Sequence, residues 1–150
     1  MSADCCGVMG PVYEDSTPLM LELWFFSDNM RRLLAGRNPI RHMKSELLDK
    51  SYAFFEEAER GDEYRNRLSK TGWIEVGGTE LSKIREIASD IMDINGEGGY
   101  FLDYVGRLKK DVKTLRDGGE VAKYDFLKLQ NFFETLSNYT LEMASCGGNC

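Results

Sequence analysis

The chain has 150 residues, enough for one ordinary domain, and its 42% hydrophobic and 29% charged residues are typical of a globular rather than a disordered protein. Its formal net charge of -6 argues against a protein drawn to nucleic acid or to an anionic membrane by its overall field. No apolar run reaches the roughly 18 residues of a membrane span, and residues 1–16 lack the features of a secretion signal, so we expect a soluble, cytoplasmic protein.

A cap and an apolar stripe predict the first helix. Thr17 is a good N-cap, and Pro18 takes the first helical position, where its missing N–H costs nothing. Gly36 is expected to end the helix. Trp24 and Phe25 widen the apolar face, which predicts burial on two sides. The apolar residues that recur every three or four positions are Leu19, Leu23, Phe26, Met30, Leu33 and Leu34.

The second helix has the same start signal. Asn38 is followed by Pro39, and Gly61 is expected to end the helix. Beyond it, residues 62–70 predict a short polar helix, and apolar residues between glycines predict a small extended segment around residues 73–76. The residues predicted to face the core are Ile40, Met43, Leu47, Leu48, Tyr52, Phe54, Phe55 and Ala58.

Three more helices follow. Thr79 caps the third, the fourth spans about residues 100–116, and the last spans about residues 121–144. The residues predicted to face inward are Leu81, Ile84, Ile87, Ala88, Ile91 and Ile94 in the third helix, Phe101, Val105, Leu108, Val112 and Leu115 in the fourth, and Ala122, Phe126, Leu129, Phe133, Leu136, Thr140 and Met143 in the last.

These elements predict an all-α fold, an antiparallel bundle of four long helices with one short helix and the small extended segment. Short connections favour antiparallel neighbours, and the spacing of the apolar residues in the last two helices favours near-parallel packing of the axes. The chain is expected to divide into an irregular leader (residues 1–16), the helical bundle (residues 17–145) and a Cys/Gly tail (residues 146–150).

All four cysteines lie outside the predicted helices: Cys5 and Cys6 in the leader, and Cys146 and Cys150 in the tail. In a bundle with an even number of long helices, leader and tail meet at the same pole, so the four sulfurs are expected to approach one another. Four thiolates bind zinc tetrahedrally or ligate an iron–sulfur cluster. Thiol redox chemistry, including a disulfide between leader and tail, is one alternative, and cysteines that are simply tolerated at the chain ends in a reducing cytosol are another.

A basic segment follows the first helix. Arg37, Asn38, Arg41 and His42 lie beside the start of the second helix, whose free N–H groups and dipole favour an anion such as phosphate. The alternative is an ordinary solvated surface. Residues 37–42, with the sequence RNPIRH, resemble the Arg-polar-three-His motif of the HEPN family of helical ribonucleases. The resemblance implies that Arg37 and His42 meet across a dimer and act on the RNA phosphate, with Asn38 in support.

The sequence lacks the residues that several other kinds of catalytic or metal site require. A di-iron bundle site needs Glu-x-x-His pairs, and the chain has a single histidine. The sequence contains no P-loop, dinucleotide fingerprint or nucleophile elbow. It therefore favours a binding protein over an enzyme.

The leading interpretation is a helical bundle that holds a thiophilic metal or does thiol redox chemistry. The alternatives are a non-catalytic interaction bundle, which binds a protein partner or a second copy, and a HEPN-like or phosphate-binding protein.

Overall fold

The computed structural model describes residues 17–36, 43–60 and 77–149, and within these ranges the chain is helical, without strands. The predicted all-α bundle is confirmed. Its helices are α1 (Thr17–Leu34), α2 (Met43–Arg60), α3 (Gly77–Ile94), α4 (Phe101–Arg116) and α5 (Lys123–Asn149), with a 3₁₀ turn at Gly98–Tyr100. None of the helices in these ranges is long and apolar enough to cross a membrane.

The described ranges contain five long helices, which correspond to the five that the sequence predicts one by one, so the number of four in the predicted bundle is one too few. The third of them, α3, buries its predicted apolar stripe at Ile84, Ile87, Ala88 and Ile91. The predicted short helix at residues 62–70 and the extended segment around residues 73–76 lie outside the described residues.

α1 and α5 form an antiparallel pair. Near the end of α1, the amide Nε2 of Gln130 donates a hydrogen bond of 3.0 Å to the carbonyl oxygen of Leu34. Further back along α1, Phe26 packs edge-on against Phe133, with ring centroids 5.6 Å apart. Because residue numbers fall along α1 as they rise along α5, the two helices run in opposite directions. The start of α1 and the end of α5 therefore lie at one end of the bundle, the α1–α5 pole.

Ion pairs fix a second antiparallel pair, α2 with α4. Arg116 Nε lies 2.7 Å from Asp49 Oδ1, and Lys109 Nζ lies 2.7 Å from Glu59 Oε1. Residue numbers rise along α2 as they fall along α4, so the two helices run in opposite directions.

The remaining long helix, α3, packs against both α2 and α5. The Tyr139 hydroxyl donates a hydrogen bond of 2.6 Å to Asp90 Oδ2. The Thr135 hydroxyl donates one of 2.8 Å to Asn95 Oδ1. These contacts make α3 antiparallel to α5 and place its last turn beside the first half of α5.

Four phenylalanines from α2 and α5 occupy the centre of the bundle. Phe54, Phe55, Phe132 and Phe133 are fully buried, and five of their ring pairs have centroids 5.0–6.0 Å apart. Tilted and edge-on contacts of this kind contribute beyond the area they bury. Predicted core residues confirmed as buried elsewhere in the bundle are Leu19, Leu23, Phe26, Met30, Leu34, Leu47, Leu48, Ala58, Ile84, Ile87, Ala88, Ile91, Val105, Leu108, Val112, Leu129, Leu136, Thr140 and Met143.

Three predicted core positions are wrong. Ala122, which lies just before α5 begins, is exposed. Phe25 is 61% exposed, because it follows Leu23 by two residues and so projects from nearly the opposite side of α1. The prediction that α1 is buried on two sides fails at this residue. Ile94 is also 61% exposed, although it keeps the helical spacing, because it is the last residue of α3. The chain turns away immediately afterwards at Gly96, whose φ of +77° favours glycine.

Candidate functional site

Of the four predicted thiol ligands, only Cys146 lies within the described backbone. It belongs to the last turns of α5, which continues to Asn149, so the residues predicted to begin a separate tail extend the helix. Glycine in a helix costs only about 1 kcal/mol relative to alanine, which a helix anchored by buried residues one turn earlier can absorb. Cys5, Cys6 and Cys150 lie outside the described residues, and the four-thiolate site stays a prediction.

The pairing of α1 with α5 brings together the backbone positions to which these cysteines connect. Residues 1–16 join the bundle at Thr17, at the α1–α5 pole, and α5 carries Cys146 to the same pole. The predicted proximity was argued from an even number of helices. The described ranges contain five, and the proximity follows instead from the direct contact of α1 with α5.

The predicted anion-binding residues Arg37, Asn38, Arg41 and His42 lie outside the described residues, so both the phosphate site and the HEPN-like site stay predictions. The segment connects the end of α1 to the start of α2. That end of α1 is opposite the α1–α5 pole, and an 18-residue helix is about 27 Å long. The points at which residues 1–16 and the basic segment join α1 therefore lie at its opposite ends.

Two arginines that precede the basic segment have an acidic partner. Arg31 and Arg32 both donate hydrogen bonds to the carboxylate of Asp28. Burial acts to raise the pKa of Asp28, but the two hydrogen bonds and positive charges outweigh it and lower that pKa below 3.8. Part of the positive charge at the end of α1 is thus balanced within the helix itself.

A cleft of about 240 Å³, which no sequence pattern predicts, lies between the 3₁₀ turn, α4 and the start of α5. We refer to it as the acidic cleft, because its four carboxylates outnumber its two cations. The described residues that line it are Glu97, Tyr100, Asp103, Tyr104, Arg107, Leu108, Asp111, Asp125 and Lys128.

Lys128 shows how the acidic cleft holds a cation. Its Nζ lies 2.7 Å from Glu97 Oε2, 5.4 Å from the ring centroid of Tyr104 and 5.1 Å from that of Tyr124. Aromatic faces attract cations within about 6 Å. The hydrogen bond to Glu97 raises the pKa of Lys128 against the opposing effect of burial. Two rings and a carboxylate thus surround one ammonium group.

Tyr104 forms an uncharged wall of the acidic cleft. Its side chain is 7% exposed. Burial, followed by the negative charge of Glu97, raises its pKa to about 12. The ring therefore stays neutral at physiological pH and acts as an apolar face rather than as an acid or base.

Two carboxylates in the acidic cleft form no direct ion pair in the described part of the chain, although the positive charges of Lys110 and Arg107 act on one of them, Asp111. Asp103 pairs with Arg107 at 3.2 Å and Glu97 pairs with Lys128, but Asp111 and Asp125 make neither an ion pair nor a hydrogen bond with any described residue. Burial and the charge of Asp125 raise the pKa of Asp111 above 3.8.

The arrangement fits an organic cation better than a bound metal. Among the described residues, no three histidine, cysteine or acidic side chains are placed to hold a metal ion. An ammonium or guanidinium group needs only a carboxylate and an aromatic face, which the acidic cleft supplies. Comparisons with protein-family models, with curated proteins and with solved structures find no match to this chain.

Proposed function

We propose that this helical bundle binds a thiophilic metal, as zinc or as an iron–sulfur cluster, through the thiolates of Cys5, Cys6, Cys146 and Cys150. The observation that carries the proposal is the antiparallel pairing of α1 with α5. It places the start of α1 at the pole that α5 reaches with Cys146. Four thiolates are a complete tetrahedral set for zinc and a complete ligand set for a cluster.

Chain length supports the same site. Residues 7–16, which separate Cys6 from Thr17, span up to about 33 Å when extended, enough to cross the end of the bundle. Cys150 follows α5 directly.

Metal and labile-sulfide analysis of protein purified without oxygen tests the proposal, together with an absorption spectrum and a free-thiol count. We expect near-stoichiometric metal and protected thiols in the wild type, and neither in the variant with all four cysteines changed to serine. A Ser2→Ala, Ser145→Ala variant alters the same two segments without removing a thiol and should retain the metal.

The remaining outcomes separate the alternatives. Four free thiols with no uptake of added Zn²⁺ under anaerobic conditions would reject the metal site. Metal-free protein whose thiols are blocked until a reductant is added would instead support the redox use of the same cysteines.

We propose protein–protein interaction as a second, non-catalytic function. The observation that favours it is the exposure of two large aromatic side chains beside the acidic cleft. Tyr100 is 80% exposed and Tyr124 is 68% exposed. Tyrosine is enriched at protein interfaces, because its ring buries a large area and its hydroxyl keeps a polar contact. Replacing the four cysteines should leave such binding intact, which distinguishes this function from the first.

A further inference from the structure

We propose that the acidic cleft and the exposed tyrosines at its rim are the docking surface for a basic segment of a partner protein, one that presents a lysine or arginine next to apolar side chains. The inference rests on the interaction function proposed above. It adds the location of the surface and the chemistry of the partner.

The carboxylates of the acidic cleft favour a partner with positive charge. Arg107 and Lys128 already pair with Asp103 and Glu97, whereas Asp111 and Asp125 form no direct ion pair with a described residue. A cation from a partner could therefore pair with them without displacing either existing ion pair. The same carboxylates repel nucleic acid, anionic lipid and acidic peptides.

The contacts of Lys128 indicate which kind of cation the acidic cleft can bind. An ammonium group already lies over Tyr104 and Tyr124 in this cleft, held by a carboxylate. The acidic cleft thus binds a primary ammonium group through a carboxylate and aromatic rings, and a lysine of the partner would use the same two kinds of contact.

The rim supplies the apolar part of the interface. Tyr100 and Tyr124 expose most of their side chains, and Leu127, one helical turn after Tyr124 on α5, is 46% exposed. Exposed apolar side chains that border a charged cleft are typical of binding surfaces. A basic segment with flanking leucine or valine residues matches both parts of this surface.

Calorimetric titration with short synthetic peptides of equal length tests the proposal: one alternating lysine with leucine, one glutamate with leucine, and one serine with leucine. We expect the wild type to bind the lysine peptide most tightly and less tightly as salt is added. Asp111→Asn with Asp125→Asn should weaken that binding about tenfold, since two charges at the contact are lost. Tyr124→Ser should weaken it at low and high salt alike.

A matched control removes two exposed carboxylates elsewhere on α5. Glu134→Gln with Glu142→Gln makes the same change in net charge away from the acidic cleft and should retain wild-type affinity for the lysine peptide to within about twofold. Equal losses in the two double variants would reduce the effect to overall charge and overturn the proposal.

Three other results would also overturn the proposal. Preference for the serine or glutamate peptide would overturn the basic partner while the interaction function survives. No binding of any peptide would reject both. Self-association of the wild type that disappears in the Asp111→Asn, Asp125→Asn variant would make a second copy of this chain the occupant and overturn the assignment to a partner.

Discussion

Asp111 and Asp125 share the acidic cleft, where burial together with the negative charge of Asp125 raises the pKa of Asp111 above 3.8. A raised pKa means that the folded state holds the proton more tightly than the unfolded state does. The stability contributed by this group is therefore present below pH 3.8 and is lost as pH rises through the raised folded-state pKa. At neutral pH, the ionised Asp111 works against folding.

Asp111→Asn should consequently stabilise the protein at pH 7. Because Asp111 is only partly buried, solvent screening limits the gain in the free energy of unfolding to less than about 1 kcal/mol. Urea denaturation at pH 7 and at pH 3 measures the gain, which should vanish at the lower pH. Asp117→Asn, which removes the exposed partner of Lys113, should give no such gain. Lower stability of Asp111→Asn at pH 7 would contradict the prediction.

The same substitution separates folding from binding. If the acidic cleft docks a basic segment, Asp111→Asn raises stability and lowers peptide affinity at once. A variant that folds better but binds less cannot owe its weaker binding to misfolding. Opposite effects of this kind are common where a site keeps charges that its fold does not need.

Tyr104 should ionise at a higher pH than an ordinary tyrosine. Burial and the charge of Glu97 raise its pKa from 10.0 to about 12. Unfolded protein releases this proton first, so stability is lost as pH rises from 10 toward 12. An ultraviolet titration of phenolate absorbance should show a transition near pH 12 that disappears in Tyr104→Phe. Glu97→Gln should move it to lower pH, and an unmoved transition would exclude Glu97 as a cause.

The helices were predictable because their signals are local. The spacing of Leu108 and Val112 reports one face of α4, and the glycine at position 36, with its φ of +77°, ends α1 as expected. The pairing of helices was not predictable in the same way, since it depends on contacts between residues far apart in sequence. The hydrogen bond from Gln130 to Leu34 is one such contact, and it belongs to the pairing that brings the start of α1 and the end of α5 to one pole.

The acidic cleft was missed for a related reason. Its central contacts join Glu97, Tyr104 and Lys128, which come from the turn before α4, from α4 and from α5. No short motif contains all three. The one available signal was the polar stripe of α4, where Asp103, Arg107 and Asp111 recur every four residues, and such a stripe is usually a solvated helix face.

The four-phenylalanine centre should dominate stability. Phe133 is fully buried, so Phe133→Ala removes a large apolar side chain and leaves a cavity, and we expect a loss of about 3–5 kcal/mol. Phe133→Leu should lose less, about 1.5 kcal/mol, and keeps the test informative if the alanine variant does not fold. Phe25→Ala is the control, since Phe25 is 61% exposed and its loss should change stability by no more than about 0.5 kcal/mol. Urea denaturation with equal losses at the two positions would contradict this core.

Two ion pairs that join α2 to α4 should differ in strength despite equal length. Glu59–Lys109 and Asp49–Arg116 both have an N–O separation of 2.7 Å. The side chains of the first pair are 23% and 19% exposed, whereas those of the second are 61% and 44% exposed. Lys109 also lies 5.6 Å from the ring centroid of Tyr52. Less water around the first pair strengthens its attraction, and the nearby ring adds to it.

Double-mutant cycles measured by urea denaturation test this difference, with Glu59→Gln and Lys109→Met in one cycle and Asp49→Asn and Arg116→Met in the other. We expect a coupling energy of about 0.5–1 kcal/mol for Glu59–Lys109 and a smaller one for the exposed pair. Adding salt to 1 M should remove most of the coupling in the exposed pair and leave most of it in the other, because exposed charges are screened more. Equal couplings with equal salt dependence would mean that burial does not distinguish the two pairs, and would contradict the prediction.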